Sequence, residues 1–329
     1  MFRNRILCWC FAAAQLCQAA AVANNQAAAA DATNDLFRRD NLVAWCIVPF
    51  DARKRGPEER AAMLEKLVFK QFAYDFRAEH VPTFEAEIEA CKRHGVELFA
   101  WWFPGSLNAD ALHILALCKK HDIHPELWIS GGGTTPATPE ERKARLAQEA
   151  ARIRPIAEAA AAQGLKVGLY NHGGWFGEPE TQLAIIDELK LPNVGIVYNL
   201  HHGHDQVERL PEILKKTLPH LLCVNLNGMV PQGDRQGQKI LQLGQGSLDL
   251  GLLKTIRASG YRGPIGILGH TQDDAEARLA DNLDGLDWLL PQLDVKPAGA
   301  KPKMSEACSA TFASTRRSPR QSLPAAVRS

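Results

Sequence analysis

Eight times between residues 42 and 290, a short apolar run gives way to a longer amphipathic one. The apolar runs fall at 42–48, 71–76, 96–103, 125–130, 166–170, 194–198, 221–226 and 264–268. The amphipathic runs fall at 57–68, 82–93, 108–120, 139–163, 178–189, 207–217, 247–258 and 273–290. Apolar runs of strand length that do not alternate with polar residues suit strands covered on both faces, as in a parallel sheet layered by helices. Eight such units in about 250 residues point to a closed (β/α)8 TIM barrel, one domain over 40–291. A doubly wound open sheet is the alternative. No GxGxxG follows the first apolar run, which weighs against it.

Local signals agree with the alternation. Pro57 suits a first helical position, and Asn108 and Thr138 are of the type that caps a helix N-terminus. Gly95, Gly164 and Gly260 stand where the helices that precede them should stop.

The two ends do not share this pattern. Arg3 and Arg5 precede an apolar, alanine-rich run over 6–23. A secretory signal peptide is therefore expected over 1–30, cleaved somewhere near 21–30, with a periplasmic or secreted destination. An uncleaved membrane anchor is the alternative; Gln15 and Gln18 and the shortness of the run weigh against it. The mature protein would then have no stable membrane span. Residues 296–329 carry seven basic side chains against Glu306 alone and read as a disordered basic tail. Without the two ends, 29 basic residues face 36 acidic ones, so the barrel is acidic and a poor partner for nucleic acid. Of 8 cysteines, Cys46, Cys91, Cys118, Cys223 and Cys308 lie beyond the signal segment, widely spaced and mostly in apolar stretches. They are expected to be small buried hydrophobes rather than a disulfide framework.

A barrel of this kind carries its chemistry at the C-terminal ends of its strands. Those ends are where polar and aromatic residues cluster: Asp75 and Arg77 after the second run, Trp101 and Trp102 in the third, and Asn171, His172 and Trp175 after the fifth. Asn199, His201, His202 and His204 follow the sixth, Asn225 and Asn227 the seventh, and His270 the eighth.

Three segments carry a family resemblance. Gly168-Leu169-Tyr170-Asn171-His172-Gly173-Gly174 is similar to the Leu-Glu-Asn-His-Gly strand of sugar isomerase/epimerase proteins of the xylose isomerase-like type. Tyr198-Asn199-Leu200-His201-His202 resembles their Asp-x-x-His segment. Leu243 to Asp249, with Gly260 to Ile265, resembles their Gly-x-Gly-x-x-Asp and Gly-Tyr-x-Gly-Pro entry to strand eight. The resemblance implies one divalent cation held by Glu on strand five, Asp and His on strand six, His on strand seven and Glu on strand eight. Those positions fall on Tyr170, Asn199, His202, Asn225 and Leu268, so only His202 matches. Hard cations want several carboxylate oxygens, and here none is supplied.

Side chains at i and i+2 share a strand face. His172 stands two beyond Tyr170, His270 two beyond Leu268, and Asn227 two beyond Asn225. A polar layer of His172, His202, His270, Asn225 and Asn227, one pleat nearer the mouth, is expected. One reading is a transition-metal site on His202, His172 and His270, holding one Zn, Mn or similar ion. Another has His172 and His270 as acid/base catalysts on a sugar. A third has these side chains simply bonding loops together. His201 and His204 are assigned to loops, and His80, His94, His113 and His121 to solvent.

Trp101, Trp102 and Trp175 are candidate stacking platforms for a sugar ring; only one of the adjacent pair can point inward. Asp75, Asn171, Asn199, Asn225 and Asn227 complete the expected substrate-binding set, with Glu126 a spare carboxylate inside strand four. The function expected is an exported isomerase, epimerase or related lyase acting on a small carbohydrate. The alternative is a carbohydrate-binding barrel that has lost catalysis. The sequence does not specify an oligomeric state. DNA repair is disfavoured by the acidic barrel.

Overall fold

The structure, a computed structural model, describes residues 35–271 and 273–305. The expected signal peptide and most of the expected tail lie outside them. Eight parallel strands close into a barrel in chain order: β1 Leu42–Trp45, β2 Gln71–Tyr74, β3 Glu97–Trp102, β4 Glu126–Ile129, β5 Val167–Tyr170, β6 Val194–Asn199, β7 Leu221–Leu226 and β8 Ile265–Leu268. β8 returns to β1 in register from Leu42↔Ile265 to Trp45↔Leu268, which closes the ring. The outer helices are α1 Pro57–Lys66, α2 Phe84–Arg93, α3 Ala109–His121, α4 Pro139–Ala161, α5 Pro179–Leu189, α6 Leu210–Thr217, α7 Asp249–Ala258 and α8 Ala275–Leu293. A single helical turn, Gly174–Gly177, precedes α5. No described helix is long and apolar enough to cross a membrane.

The helix starts use the expected chemistry. Asn108 Oδ1 accepts from Ala111 N at 2.9 Å. Thr138 and Glu141 form a reciprocal capping box, with Thr138 Oγ1 accepting from Glu141 N at 3.2 Å. Pro57 and Pro139 each occupy a first helical position, where a missing N–H costs nothing. Gly164 and Gly260 adopt φ of +70° and +83°, which frees the chain to leave its helix.

The pleat divides the strands into two layers. Val43, Trp45, Ala73, Ala100, Trp128, Tyr170, Val197, Cys223 and Leu268 pack inside the barrel. Leu42, Ala44, Phe72, Tyr74, Trp101, Leu127, Leu169 and Ile196 face the helices. Gly266 on β8 pairs with Asn225 on β7, and a Cβ there would meet Asn225 Oδ1 at 1.7 Å.

Charge ties the first loop to the last helix. Buried Asp51 accepts from Arg55 Nη1 at 2.9 Å and from Ala275 N at 3.2 Å, while Arg55 Nη2 donates to Asp274 at 2.8 Å. A second buried pair, Arg60 with Glu87, joins α1 to α2. Cys46, Cys91, Cys118 and Cys223 are free and buried. Residues 296–305 have a definite course along α8: Trp288 Nε1 donates to Gly299 O at 3.1 Å, and Ser305 Oγ to Asp281 at 3.0 Å.

Candidate functional site

A cavity of about 270 Å³ opens among the C-terminal strand ends. β1 ends at Trp45 because Cys46 takes the left-handed conformation, with φ +57°, rare for a residue with a Cβ. That turn brings Cys46 and Phe50 to the rim, alongside Trp45. From β2 come Asp75 and Arg77, from β3 Trp102, and from β5 Tyr170 and His172. The short turn after β6 gives His201 and His202; His270 follows β8. Lys239 and Ile240 come from the long loop after β7.

The floor is aromatic. Trp45 Nε1 donates to the Tyr170 hydroxyl at 3.0 Å, and Trp45 packs edge-on to Trp128 with ring centroids 4.9 Å apart. Trp102 stands edge-on to Tyr170 at 5.1 Å. The position where the family would carry its strand-five glutamate thus holds a buried phenol that burial keeps protonated.

Above this floor lie four imidazoles. Ring centroids are 4.5 Å apart for His172 and His202, 3.8 Å for His201 and His202, and 6.1 Å for His201 and His270. His270 also packs on Phe50 at 3.6 Å. Burial, then the neighbouring His172 and Lys239, lower the His202 pKa to about 3. Burial, then Lys239 and Arg77, lower that of His270 to about 4. Burial lowers His201 well below the usual range, and His172 moves the same way. The four rings are neutral at pH 7. His201 Nδ1 donates to Asn199 Oδ1 at 2.7 Å, while His202 Nε2 is buried with no partner among the described residues.

Asp75 is the one carboxylate on the cavity wall. Its Oδ1 accepts from Val48 N at 3.2 Å, and its Oδ2 is buried without a partner among the described residues. Burial raises its pKa to about 7, against the pull of that backbone bond and of Arg77. Glu126 also rises to about 7 through burial, but it sits at the start of β4, accepts from Trp128 Nε1 at 3.0 Å, and does not line the cavity.

His172, His202, His270, Asp75 and Trp102 are therefore brought together, as the strand-end argument expects. The other candidates go elsewhere, each for a local reason. Trp101 points out among Tyr74 and Phe84, the opposite face of β3 from Trp102. Trp175 is buried beneath Arg145, whose guanidinium lies 5.2 Å from its ring. Asn171 donates to Asn199 O at 3.2 Å and accepts from Asn199 N at 2.7 Å, stitching β5 to β6. Asn199 positions His201, and Asn225 lies against Gly266, its Oδ1 3.5 Å from Cys223 Sγ. Asn227 Nδ2 donates to Gly228 O and Lys239 O, so it shapes the loop. His201, assigned to a loop, lines the cavity. His94 and His121 pair with Glu65 and Glu85 at 2.6 and 2.8 Å on the outer surface instead of being merely solvated.

The metal question turns on donors. The family's carboxylate positions hold Tyr170, Asn199 and Leu268, none of which offers an anionic oxygen at neutral pH. Among the described residues, no group of three or more His, Cys, Asp or Glu side chains is placed to hold a metal ion, and His172, His202 and His270 do not form one. The residues do not fit the family's cation.

A closed parallel barrel with an aromatic-floored, histidine-lined cavity at its C-terminal mouth defines the class: a (β/α)8 barrel with its site built from β/α loops. Within that class the chain belongs to the xylose isomerase-like TIM barrel family, whose sequence model matches residues 74–292. Solved structures share the fold. The chain is similar to a xylose isomerase-like TIM barrel/4-hydroxyphenylpyruvate dioxygenase fusion protein, at 16% identity and TM-score 0.55 over 78% of this chain, and spans 44% of that protein's length. It is also similar to the IolI protein with a binding zinc atom, at 14% identity and TM-score 0.58 over 76% of this chain and 98% of that one. The 3-keto-D-glucoside 4-epimerase YcjR from E. coli is 18% identical with TM-score 0.55, over 76% and 98% of the two chains. A search of curated protein sequences gives no significant match.

Proposed function

We propose that this barrel acts on a small carbohydrate by proton transfer beside a carbonyl, as an isomerase or epimerase, without the family's carboxylate-bound cation. The observation that carries the reading is Asp75. It is a buried carboxyl with a free Oδ2, poised near neutrality, facing neutral imidazoles across a cavity of monosaccharide scale. A proton carrier works best with a pKa near the working pH. Asp75 in its carboxylate form takes the proton from the carbon next to the carbonyl. Isomerisation follows when it returns that proton to the neighbouring carbon while the hydroxyl proton passes from one enediolate oxygen to the other, and epimerisation when water in the cavity delivers a proton to the opposite face of the same carbon.

The histidines suit a different task. His202 and His270, with pKa values of about 3 and 4, are weak bases at neutral pH. A neutral imidazole N–H stabilises a developing enediolate oxygen without giving up its proton. His172, His202 and His270 are assigned that role here, and Trp102 the apolar face of the sugar. This moves His172 and His270 from proton carriers, as the sequence reading has them, to hydrogen-bond donors. Burial among one another and beside Lys239 is the reason.

Export is a second part of the proposal, supported by Arg3, Arg5 and the apolar run that follows them.

The test is deuterium exchange. Incubating keto- and aldo-sugars with the protein in D2O should place deuterium at the carbon beside the carbonyl, read by proton NMR. Asp75→Asn should abolish the exchange; His172→Ala and His270→Ala should each slow it by about a hundredfold. Sugar binding with no exchange in the unmodified protein would instead support the carbohydrate-binding alternative.

A further inference from the structure

The cavity carries two cations that the proton-transfer chemistry does not use. Arg77 leaves β2 and reaches the mouth; Lys239 reaches it from the loop after β7, three strands away around the ring. Neither forms an ion pair with a described carboxylate. Arg77 is oriented through one nitrogen only: Nη1 donates to Asp75 O and Phe76 O at 3.0 and 2.8 Å, and the guanidinium lies 5.5 Å from the Phe50 ring centroid. Nε and Nη2 donate to no described residue.

Lys239 is exposed, yet its backbone is fixed. Gly228 and Leu241 pair as an antiparallel bridge, at 2.8 and 3.1 Å, which folds the loop back on itself. Lys239 O accepts from His204 Nε2 at 2.8 Å and from Asn227 Nδ2 at 3.3 Å. The next residue, Ile240, is buried against the cavity wall. The anchored backbone keeps the root of this lysine at the mouth of the site, within reach of the cavity it lines.

The sign of the cavity follows. Two permanent cations face one carboxyl, and the imidazoles add no charge. In a protein whose barrel is acidic overall, this pocket is a local positive field, and such a field concentrates anions. An arginine fork matches the two oxygens of a carboxylate, with a lysine as a point charge beside it.

Building on the carbohydrate reading, we propose that the substrate is an acidic sugar, whose carboxylate is held between Arg77 and Lys239 while its ring lies over Trp102. The carboxylate end sits at the rim, and the carbonyl end reaches down to Asp75 and the histidines. The two cations are binding groups; they set which sugar enters.

Calorimetric titration of the full chain tests this with glucose, galactose, glucuronate, galacturonate and glucose 6-phosphate as probes. One uronate is expected to bind at least about tenfold more tightly than its parent hexose, the scale of one or two charge-assisted hydrogen bonds. That ratio should fall towards one in Lys239→Met and in Arg77→Met, and Lys239→Arg should keep most of it. Unchanged far-UV circular dichroism and melting would show that the variants fold. Equal binding of hexoses and uronates would overturn the acidic-sugar inference while leaving the carbohydrate reading intact. Tighter binding of glucose 6-phosphate than of either uronate would overturn the carboxylate assignment in favour of a phosphate. Binding of none of the five would overturn the inference and the carbohydrate reading together.

Discussion

Asp75 offers a quantitative test of the site. Its carboxyl has an ordinary pKa of 3.8, raised in the fold to about 7 by burial. Arg77 and Arg60 pull the other way, as does the Val48 N–H, and burial outweighs all three. The stability that goes with a raised acid pKa is complete below the unfolded value and is lost as pH climbs to the folded one. The window here runs from about pH 4 to about pH 7. Between pH 5 and pH 8 the wild-type protein should lose on the order of 2–3 kcal/mol through this one group.

Asp75→Asn removes the titration and keeps an amide oxygen able to accept from Val48 N. Urea unfolding of both proteins at pH 5 and pH 8 isolates the effect, because the other titrating groups cancel in the difference. The stability of Asp75→Asn relative to wild type should rise by about 2–3 kcal/mol from pH 5 to pH 8. A difference that is the same at both pH values would refute the claim that the fold holds this carboxyl near neutrality. The same substitution should stop deuterium exchange, so one variant tests both the titration of this carboxyl and its role.

The tryptophan pair should separate binding from folding. Trp101→Ala removes a fully buried indole from the helix-facing layer and should cost about 3–5 kcal/mol in urea unfolding, with sugar affinity in the folded fraction little changed. Trp102→Ala, on the opposite face, should weaken sugar binding about tenfold in calorimetry at a smaller cost in stability. Arg60→Met should cost about 3–5 kcal/mol in the same unfolding assay, since it leaves the Glu87 carboxyl in the interior without its partner.

Much of the scaffold is legible in the chain because its signals are local. The apolar runs coincide with the eight strands to within a few residues, and Asn108, Thr138, Pro57 and Gly164 act where their chemistry says they should. Strand ends are read less well. The first run is apolar to Val48, but β1 stops at Trp45 because Cys46 turns left-handed, which its side chain does not announce.

The site is legible where it follows from the strand period. His172 and His270 reach the cavity two residues past their strands, and Trp102 wins over Trp101 by parity. It is opaque where tertiary contacts decide. Asn171, Asn199 and Asn227 look like ligand-binding amides, yet Asn171 bonds the Asn199 backbone, Asn199 Oδ1 accepts from His201, and Asn227 Nδ2 donates to loop carbonyls. Lys239 lies in a glycine- and glutamine-rich stretch without periodicity, and only the Gly228–Leu241 bridge brings it back to the mouth. The aromatic floor is another case, since Trp45 and Tyr170 meet across the barrel from positions 125 residues apart.

The most direct measurement is a crystal structure of the full chain, purified without chelator and soaked with glucuronate. The expected result is a sugar in the strand-end cavity, its ring on Trp102, its carboxylate between Arg77 and Lys239, and its carbonyl end at Asp75, with no metal peak among His172, His202 and His270. A metal ion bridging those histidines to the sugar, or a cavity left empty at saturating ligand, would contradict the account.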